Sequence, residues 1–386
     1  MPLMLRRGIN DLPAEGWAHT MANVTYAPNR HATLGHRVNP MSTQLMRANV
    51  LLEPGAIEMQ RVPIPDPEPG GVVVKVATAL TCGTDLKAFL RGHPKFPTPT
   101  LFGHEFAGVI AKAGRDVTRF KEGDAVMSTH SAPCGTCHYC QRGQENLCDT
   151  IMSSMILGAY AEYIRVPERI VRQNMYPKPD ELPYREAALM EPLACVVHGL
   201  ENVVVREDDA VVILGNGAIA LLQVAALRTR GVETIIVAGR RAYRQQVARA
   251  MGASHTLDFA AETLPARIRD LTGGRGADLV IECTGQPQIW ELAVQLARRG
   301  GAVIFFGGCK RGTTVTLDTE RIHYDEITLR SPFHMTPRAV RQARQMLLER
   351  RVDWGRLITD DYPLERLGDA LDQLQRGDCI KFAIVP

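Results

Sequence analysis

The sequence lacks most of the features that mark membrane, secreted or nucleic-acid-binding proteins. Its 386 residues carry a formal net charge of only +3, which provides little attraction for nucleic acids or anionic lipids. The chain contains no run of 18 apolar residues that would span a membrane, and its N-terminal stretch has no apolar signal-peptide segment. We therefore expect neither a nucleic acid nor a membrane among its partners.

The composition is that of a globular protein with a sizeable core. Hydrophobic residues make up 45% of the chain, and a length of 386 residues predicts two domains. The first 44 residues show neither helical nor strand periodicity. We expect them to be an N-terminal extension that is either disordered or spurious.

A disulfide framework is not expected either. Five of the nine cysteines, Cys82, Cys195, Cys283, Cys309 and Cys379, are scattered along the chain. An odd number of cysteines without a repeated spacing is typical of the reducing cytoplasm, where we place the protein. Apart from Cys82, these scattered cysteines are predicted to be small buried apolar residues.

The other four cysteines lie close together in one segment. Cys134, Cys137, Cys140 and Cys148 follow a C-x2-C-x2-C-x7-C spacing, which allows four thiolates to bind one tetrahedral zinc ion. Because the protein would supply all four ligands, such a zinc would be structural. The alternative is a set of free or disulfide-paired thiols.

A second group of candidate ligands is mixed in type and spread along the chain. It consists of Cys82, the adjacent pair His104 and Glu105, and Glu191. Catalytic zinc sites are built in this way, from three protein ligands and one position left for water or substrate. The spacing therefore predicts a catalytic zinc in addition to the structural one, giving two zinc ions per chain.

These motifs together resemble the zinc-dependent medium-chain dehydrogenase/reductases, in the sorbitol and threonine dehydrogenase branch. The resemblance extends from about residue 45 to the C terminus, and implies an α/β fold with a GroES-like β-barrel catalytic domain and a Rossmann doubly wound parallel sheet. It implies an extension at 1–44, a catalytic domain at 45–197 with the cysteine lobe at 131–148, a dinucleotide-binding domain at 198–330 and a return to the catalytic domain at 331–386. It also places the strand that closes the barrel at 157–163.

The resemblance assigns roles around the catalytic zinc. Cys82 and His104 match ligands of the family, and Glu191 stands where the alcohol dehydrogenases have a second cysteine. Glu105 is either a third ligand or a neighbouring carboxylate that approaches the metal during turnover, and the sequence leaves both possibilities open. Asp85 is expected to accept a hydrogen bond from His104 and so to select its tautomer.

The resemblance also reaches the proton relay and the substrate. Thr84 matches a Ser or Thr that takes the proton of the substrate alcohol, whereas Lys87 stands where many relatives have a histidine. Water and the cofactor ribose are then the alternative relay. His334 and Met335 replace an Arg and a Tyr that hold polyol hydroxyls in the sorbitol branch. His334 is therefore a candidate partner for a polar substrate or an ordinary loop histidine.

From Asp209 onward, strand and helix patterns alternate, which predicts a parallel sheet with crossover helices. The first strand of this part is followed by Gly215-x-Gly217-x-x-Ala220 and a helical run. Here the first glycine would allow a tight turn and the second would let a pyrophosphate approach the helix N-terminus. An ordinary strand–helix turn is the alternative.

The residues at the end of the second strand of this predicted sheet indicate which dinucleotide binds. Enzymes that use NAD place an acidic residue there, and this chain has Gly239 followed by Arg240. A small residue leaves room for a 2′-phosphate, which a guanidinium binds well. NADP is therefore favoured, with NAD as the alternative. The candidate cofactor contacts are Gly215, Gly217, Ala218, Ile219, Gly239, Arg240, Arg244, Cys283 and Thr284.

The predicted function is a zinc-dependent oxidoreductase that interconverts a secondary alcohol (a polyol, sugar or amino alcohol) and a ketone by hydride transfer to NAD(P). Zinc would act as a Lewis acid on the substrate oxygen. The family resemblance also implies a homo-oligomer, a dimer or a tetramer. Two alternatives differ in metal content: a zinc-free reductase of the same fold would hold no zinc, and an interaction module using only the cysteine lobe would hold one.

Overall fold

The computed structural model describes residues 44–93, 96–201, 203–260 and 262–386. The N-terminal extension was predicted for residues 1–44. Residues 1–43 of it lie outside the described part of the chain.

Short strands dominate the first part of the chain, where β-branched and other apolar residues are frequent. The elements are β1 Leu45–Glu53, β2 Ala56–Pro63, β3 Val72–Leu80, α1 Gly83–Arg91, β4 Thr100–Leu101, β5 Glu105–Ala113, β6 Ala125–Ser128, α2 His138–Gln141, β7 Tyr163–Val166, α3 Glu168–Asn174, β8 Met175–Pro177, α4 Tyr184–Ala187 and α5 Met190–Glu201.

Strands and helices then alternate regularly, as the sequence predicts. The elements are β9 Ala210–Leu214, α6 Ala218–Thr229, β10 Thr234–Gly239, α7 Ala242–Ala250, β11 His255–Asp258, α8 Leu264–Leu271, β12 Ala277–Glu282, α9 Pro287–Leu296, β13 Ala297–Phe305, α10 Thr319–Tyr324 and β14 Thr328–Arg330. The chain ends with α11 Pro337–Glu349, β15 Ile358–Pro363, α12 Leu367–Arg376 and β16 Lys381–Val385.

The alternating part forms one parallel six-stranded sheet in the order β11-β10-β9-β12-β13-β14. Counted from β9, this is the order 3-2-1-4-5-6 of dinucleotide-binding folds, in which the strand order reverses between the first and fourth strands. Ligands bind such sheets in the crevice beyond the carboxyl ends of those two strands. The loops after β9 and β12, which start at Gly215 and Cys283, lie at this position.

The first part and the C-terminal strands share a second sheet in the order β15-β16-β3-β5-β6-β8, with β7 also paired to β3. A smaller sheet contains β2, β1 and β4. Because β16 pairs with β3, the last strand of the chain lies beside the start of the candidate metal site: the Thr81 N–H donates to the Phe382 carbonyl at 2.9 Å.

A strand was predicted at 157–163, but the strand in this part of the structure is β7, which begins only at Tyr163. The reason is a competing set of backbone hydrogen bonds. The Gly158 and Tyr160 N–H groups donate to the carbonyls of Gly103 and Phe102, at 2.9 Å in both cases. This segment therefore supports the loop that leads to His104 rather than joining the sheet at full length.

Candidate active site and metal centres

The four clustered cysteines converge on one point. The four sulfur atoms all lie within 4.8 Å of one another, and the Sγ atoms of Cys134 and Cys140 are 3.9 Å apart. Sulfurs bound at about 2.3 Å to one tetrahedral zinc lie roughly 3.8 Å from each other, so the donor set fits this ion. Left-handed backbone conformations at Gly135 and Gly143, with φ of 78° and 74°, form the tight turns that bring the thiols together.

Hydrogen bonds within this lobe favour the thiolate form of Cys134, which is the form that binds a metal. The Cys134 sulfur accepts from the N–H groups of Thr136 and Cys137, at 3.4 and 3.3 Å. The Thr136 hydroxyl and these N–H groups lower the pKa of Cys134 to about 5, which favours the thiolate that binds zinc. None of the nine cysteines forms a disulfide in the part of the chain that the structure describes.

The second group of ligands is assembled by the pairing of two strands. In the antiparallel pair β3–β5, Leu80 lies opposite Glu105, so Cys82, two residues beyond Leu80, comes close to the start of β5. Ligand atoms of Cys82, His104 and Glu105 all lie within 4.8 Å of one another, and His104 and Glu105 are buried. A thiolate, an imidazole and a carboxylate form a donor set that suits a catalytic zinc.

A buried carboxylate orients the histidine. The Nδ1 atom of His104 lies 2.9 Å from Asp85, as predicted, which leaves Nε2 for a metal. Asp85 has no exposed surface, and its other oxygen accepts a hydrogen bond from the Tyr160 hydroxyl at 2.6 Å. Sequence reasoning missed Tyr160, which no motif singles out.

Glu105, the third candidate ligand, forms an ion pair that sequence reasoning also missed. The Lys381 ammonium lies 2.7 and 2.9 Å from the two oxygens of Glu105, and it donates to the Thr81 carbonyl at 2.6 Å. Burial raises the pKa of Glu105 to about 7, against the opposing effect of Lys381. A sequence signal existed, since Lys381 is a single charged residue within an apolar strand, where burial demands a partner.

Glu191 lies outside this group and faces a different partner. Its Oε1 atom is 3.2 Å from Nδ1 of His130 and 3.8 Å from the Cys195 sulfur. Burial alone would raise the pKa of Glu191, but His130 lowers it to about 2. Of the two carboxylates that the sequence left open, the structure thus brings Glu105 into the cluster and places Glu191 beside it.

His130 and His334 lie next to the cluster and form with it the region that we call the cleft. The ring of His130, which sequence reasoning missed, lies 5.0 Å from that of His104 and 5.2 Å from that of His334. Burial lowers the pKa of His334 to about 3, so its imidazole is neutral near pH 7. Thr84 lies in the first turn of α1, where its N–H donates to the Cys82 sulfur at 3.4 Å, and Lys87 is exposed on the same helix.

A cavity of about 270 Å³ lies at the switch point of the parallel sheet. Gly215 needs its left-handed φ of 107° there to turn the chain out of β9. Seven predicted cofactor contacts line this cavity, namely Gly215, Gly217, Gly239, Arg240, Arg244, Cys283 and Thr284. The other two, Ala218 and Ile219, are the first residues of α6.

The end of β10 has no room for a side chain. A Cβ atom at Gly239 would lie only 2.3 Å from the Asn216 side chain, which donates to the Arg241 carbonyl at 3.1 Å. Asn216 therefore excludes an acidic residue at this position. The Arg240 guanidinium lies 5.8 Å from the centre of the Phe259 ring, at the mouth of the cavity.

The neighbouring arginines are engaged elsewhere. Arg244 donates through Nε to the Cys379 carbonyl at 2.7 Å, and Arg241 lies 3.5 Å from the Asp378 carboxylate. Arg240, in contrast, has no ion-pair partner among the described residues. Arg240 and Arg244 both line the cavity, and of the two only the Arg240 side chain makes no hydrogen bond or ion pair among the described residues.

The chain matches known proteins over most of its length. Residues 68–180 match the alcohol dehydrogenase GroES-like domain, and residues 218–349 match the zinc-binding dehydrogenase family. The sorbitol dehydrogenase of Bacillus subtilis (strain 168) is 31% identical over 354 residues, which cover 89% of this chain and 98% of that protein. The L-threonine 3-dehydrogenase of Bacillus velezensis is 31% identical over 337 residues, which cover 85% and 95%.

Solved structures show the same architecture. A protein described as a zinc-binding dehydrogenase from Sinorhizobium meliloti 1021, bound to NADP, superposes with a TM-score of 0.81 at 29% identity, covering 89% of this chain and 100% of its own. The alcohol dehydrogenase TADH from Thermus sp. ATN1 superposes with a TM-score of 0.80 at 27% identity, covering 88% of this chain and 99% of its own.

A mixed-ligand cluster beside a nucleotide-binding sheet defines a zinc-type, nicotinamide-dependent alcohol dehydrogenase. The chain belongs to the zinc-dependent medium-chain dehydrogenase/reductases, in the branch of the sorbitol and threonine dehydrogenases. The predicted family, fold class and enzyme class are thereby confirmed. None of the helices in the described residues is long and apolar enough to cross a membrane.

Proposed function

We propose that the protein oxidises a polyol or a similar secondary alcohol to a ketone, reversibly, with NADP as the preferred cofactor. The observation that carries this proposal is the buried group of Cys82, His104 and Glu105, which lies beside a cleft lined by imidazoles. Support for the substrate class comes from relatives named sorbitol dehydrogenase and D-altritol 5-dehydrogenase.

The two donor groups support a content of two zinc ions per chain. The four lobe cysteines would hold one ion in a closed site. Cys82, His104 and Glu105 would hold the other, leaving a fourth position for substrate. Bound there, zinc supplies a Lewis acid that polarises the substrate oxygen.

The protein side chains then position the substrate and move its proton. Asp85 keeps His104 in one tautomer, and Lys381 holds the Glu105 carboxylate in place. Thr84, two residues after Cys82, takes the proton of the substrate hydroxyl. Since the exposed Lys87 replaces the histidine of many relatives, the proton would pass from Thr84 to water, or to the ribose of a bound cofactor. A nicotinamide cofactor held at the switch point of the parallel sheet would supply the hydride acceptor.

The preference for NADP rests on the end of β10. Asn216 occupies the space that an acidic side chain would need to bind a ribose 2′-hydroxyl. Arg240, which lines the cavity, would bind a 2′-phosphate instead. The S. meliloti protein of similar fold was solved with NADP bound.

Substitution of Arg240 tests this preference. Arg240→Ala removes a charge-assisted contact, so KM for NADP should rise about 10- to 100-fold while KM for NAD changes less than about twofold. Arg241→Ala is the matched control, because Arg241 faces Asp378. Equal losses for both cofactors would contradict the assignment.

The reaction itself is tested by cofactor reduction with the purified protein, comparing NADP and NAD against sorbitol, other polyols, L-threonine and 2,3-butanediol. Metal analysis of the same sample should show two zinc ions per chain. Silence across the whole panel, or one zinc or none, would contradict the proposal. The family resemblance also implies a homo-oligomer, which light scattering would show as two or four chains.

A further inference from the structure

The loop that returns from β14 to α11 carries an unusual backbone at the active-site cleft. His334 has a left-handed φ of 63°, which costs free energy for a residue with a Cβ atom. Its ring lies 5.2 Å from that of His130, which is 5.0 Å from the candidate ligand His104. Surrounding contacts must therefore hold this loop in its strained form.

One such contact comes from the first residue of the cysteine lobe, Ser131. The Ser131 hydroxyl and Nε2 of His334 are 2.6 Å apart. Ser131 is fully buried, and its carbonyl accepts a hydrogen bond from the Asn174 side chain at 2.8 Å. The Gln173 side chain donates to the neighbouring Pro133 carbonyl at 3.0 Å. The partner of His334 is thus held on a rigid base.

The second contact comes from within the lobe. Asn146 lies in the short helix Glu145–Leu147, two residues before the candidate ligand Cys148. Its side-chain amide donates to the Phe333 carbonyl at 3.1 Å. Phe333 itself is 47% exposed, so its own packing contributes little to the position of the loop. The lobe therefore holds two consecutive residues of the loop from two sides.

We propose that the cysteine lobe positions the substrate-facing loop, with Ser131 and Asn146 as positioning residues that act through His334. The lobe is folded around its four thiols, so a metal bound there supports the active-site cleft as well as the lobe itself. This inference rests on the proposed function in one respect only, namely that the substrate binds in the cleft lined by the imidazoles of His130 and His334.

Amide hydrogen exchange of the zinc-loaded protein tests the physical contact. Asn146→Asp places a carboxylate, which cannot donate, against the Phe333 carbonyl, and Ser131→Ala removes the hydroxyl. Each should raise exchange of residues 331–336 about fivefold, the effect of one lost hydrogen bond. Gln144→Ala is the matched control. Gln144 is exposed on the same lobe, and its side chain makes no hydrogen bond to any of the described residues. Exchange equal to the control in both variants would overturn the proposal.

Kinetics with sorbitol, or with the alcohol of the panel that has the highest kcat/KM, test the consequence for substrate. KM should rise about fivefold in both variants while kcat changes less than about twofold. The variants should add nothing to His334→Ala, because they act through that ring. Raised exchange with an unchanged KM would also overturn the proposal. If no alcohol is oxidised, the proposed function fails, and exchange still decides whether the lobe holds the loop.

Discussion

The two candidate metal sites of this protein are built in opposite ways. The lobe takes four identical ligands from one loop, and three of the four are only partly buried. The cleft takes three different ligands from two segments that strand pairing brings together, two of them buried. A site formed by neighbours in sequence can be closed and structural, whereas a site between elements can leave a position open for substrate.

The surroundings of the ligands differ in the same sense. Backbone N–H groups of the loop itself donate to the lobe sulfur of Cys134. In the cleft, His104 and Glu105 depend on the distant side chains of Asp85 and Lys381. Burial makes these partners necessary, since an unpaired charge in the interior is costly. Substitutions in the cleft should therefore lower activity, whereas substitutions in the lobe should lower stability.

The largest effect is expected for a ligand of the cleft. Cys82→Ser should lower kcat at least about 10³-fold, since it removes metal polarisation worth several kcal/mol. The melting temperature should change little, because the fold of the barrel does not depend on this thiol. Cofactor reduction and thermal unfolding measure the two quantities. Normal turnover would show that Cys82 is not a ligand.

A ligand of the lobe should behave in the reverse manner. Cys137→Ser should lower the free energy of unfolding by about 3 kcal/mol, roughly a quarter of the 10–16 kcal/mol that a structural zinc supplies in small domains. Turnover per folded molecule should fall far less than for Cys82→Ser. Urea unfolding and activity titration measure this, and an unchanged stability would contradict a structural role for the lobe.

The two carboxylates of the cleft can be separated by zinc affinity. Glu191→Gln should weaken zinc binding at the cleft only about tenfold, the effect typical of a residue beside the ligands. Glu105→Gln should weaken it considerably more, because Glu105 lies within the cluster. Competition with a chelating dye measures both affinities. The reverse order would make Glu191 the ligand.

The smallest effect is expected at His334, where the lobe meets the cleft. Its pKa in the folded protein is about 3, so below about pH 6.5 the unfolded chain binds a proton that the folded protein does not. The free energy of unfolding should therefore fall as the pH drops from about 6.5 towards 3. Between about pH 7 and pH 5.5 the contribution is about 1 kcal/mol.

His334→Gln should remove this part of the acid sensitivity in urea unfolding. His323→Gln, at an exposed position, is the control and should leave it unchanged. An equal loss of stability on acidification in the wild type and in His334→Gln would show that the His334 ring is protonated in the folded protein.

Much of the molecule was predictable because its signals are local. The strand Ala210–Leu214 and the glycine turn after it were placed correctly, since an apolar run followed by Gly215 specifies both elements within a few residues. The cysteine lobe was predicted for the same reason. The strand predicted at 157–163 was displaced, because hydrogen bonds to Gly103 and Phe102 compete for its backbone.

The sequence by itself determined the family, the order of strands and helices in the nucleotide-binding part and which four cysteines form the candidate metal site of the lobe. Only the tertiary structure decided which carboxylate joins Cys82 and His104, and that Glu105 is held by Lys381, 276 residues away. The physical reason is that periodicity and spacing report contacts between near neighbours. Partners for buried charge are chosen by strand pairing and desolvation, which act between residues far apart in the chain.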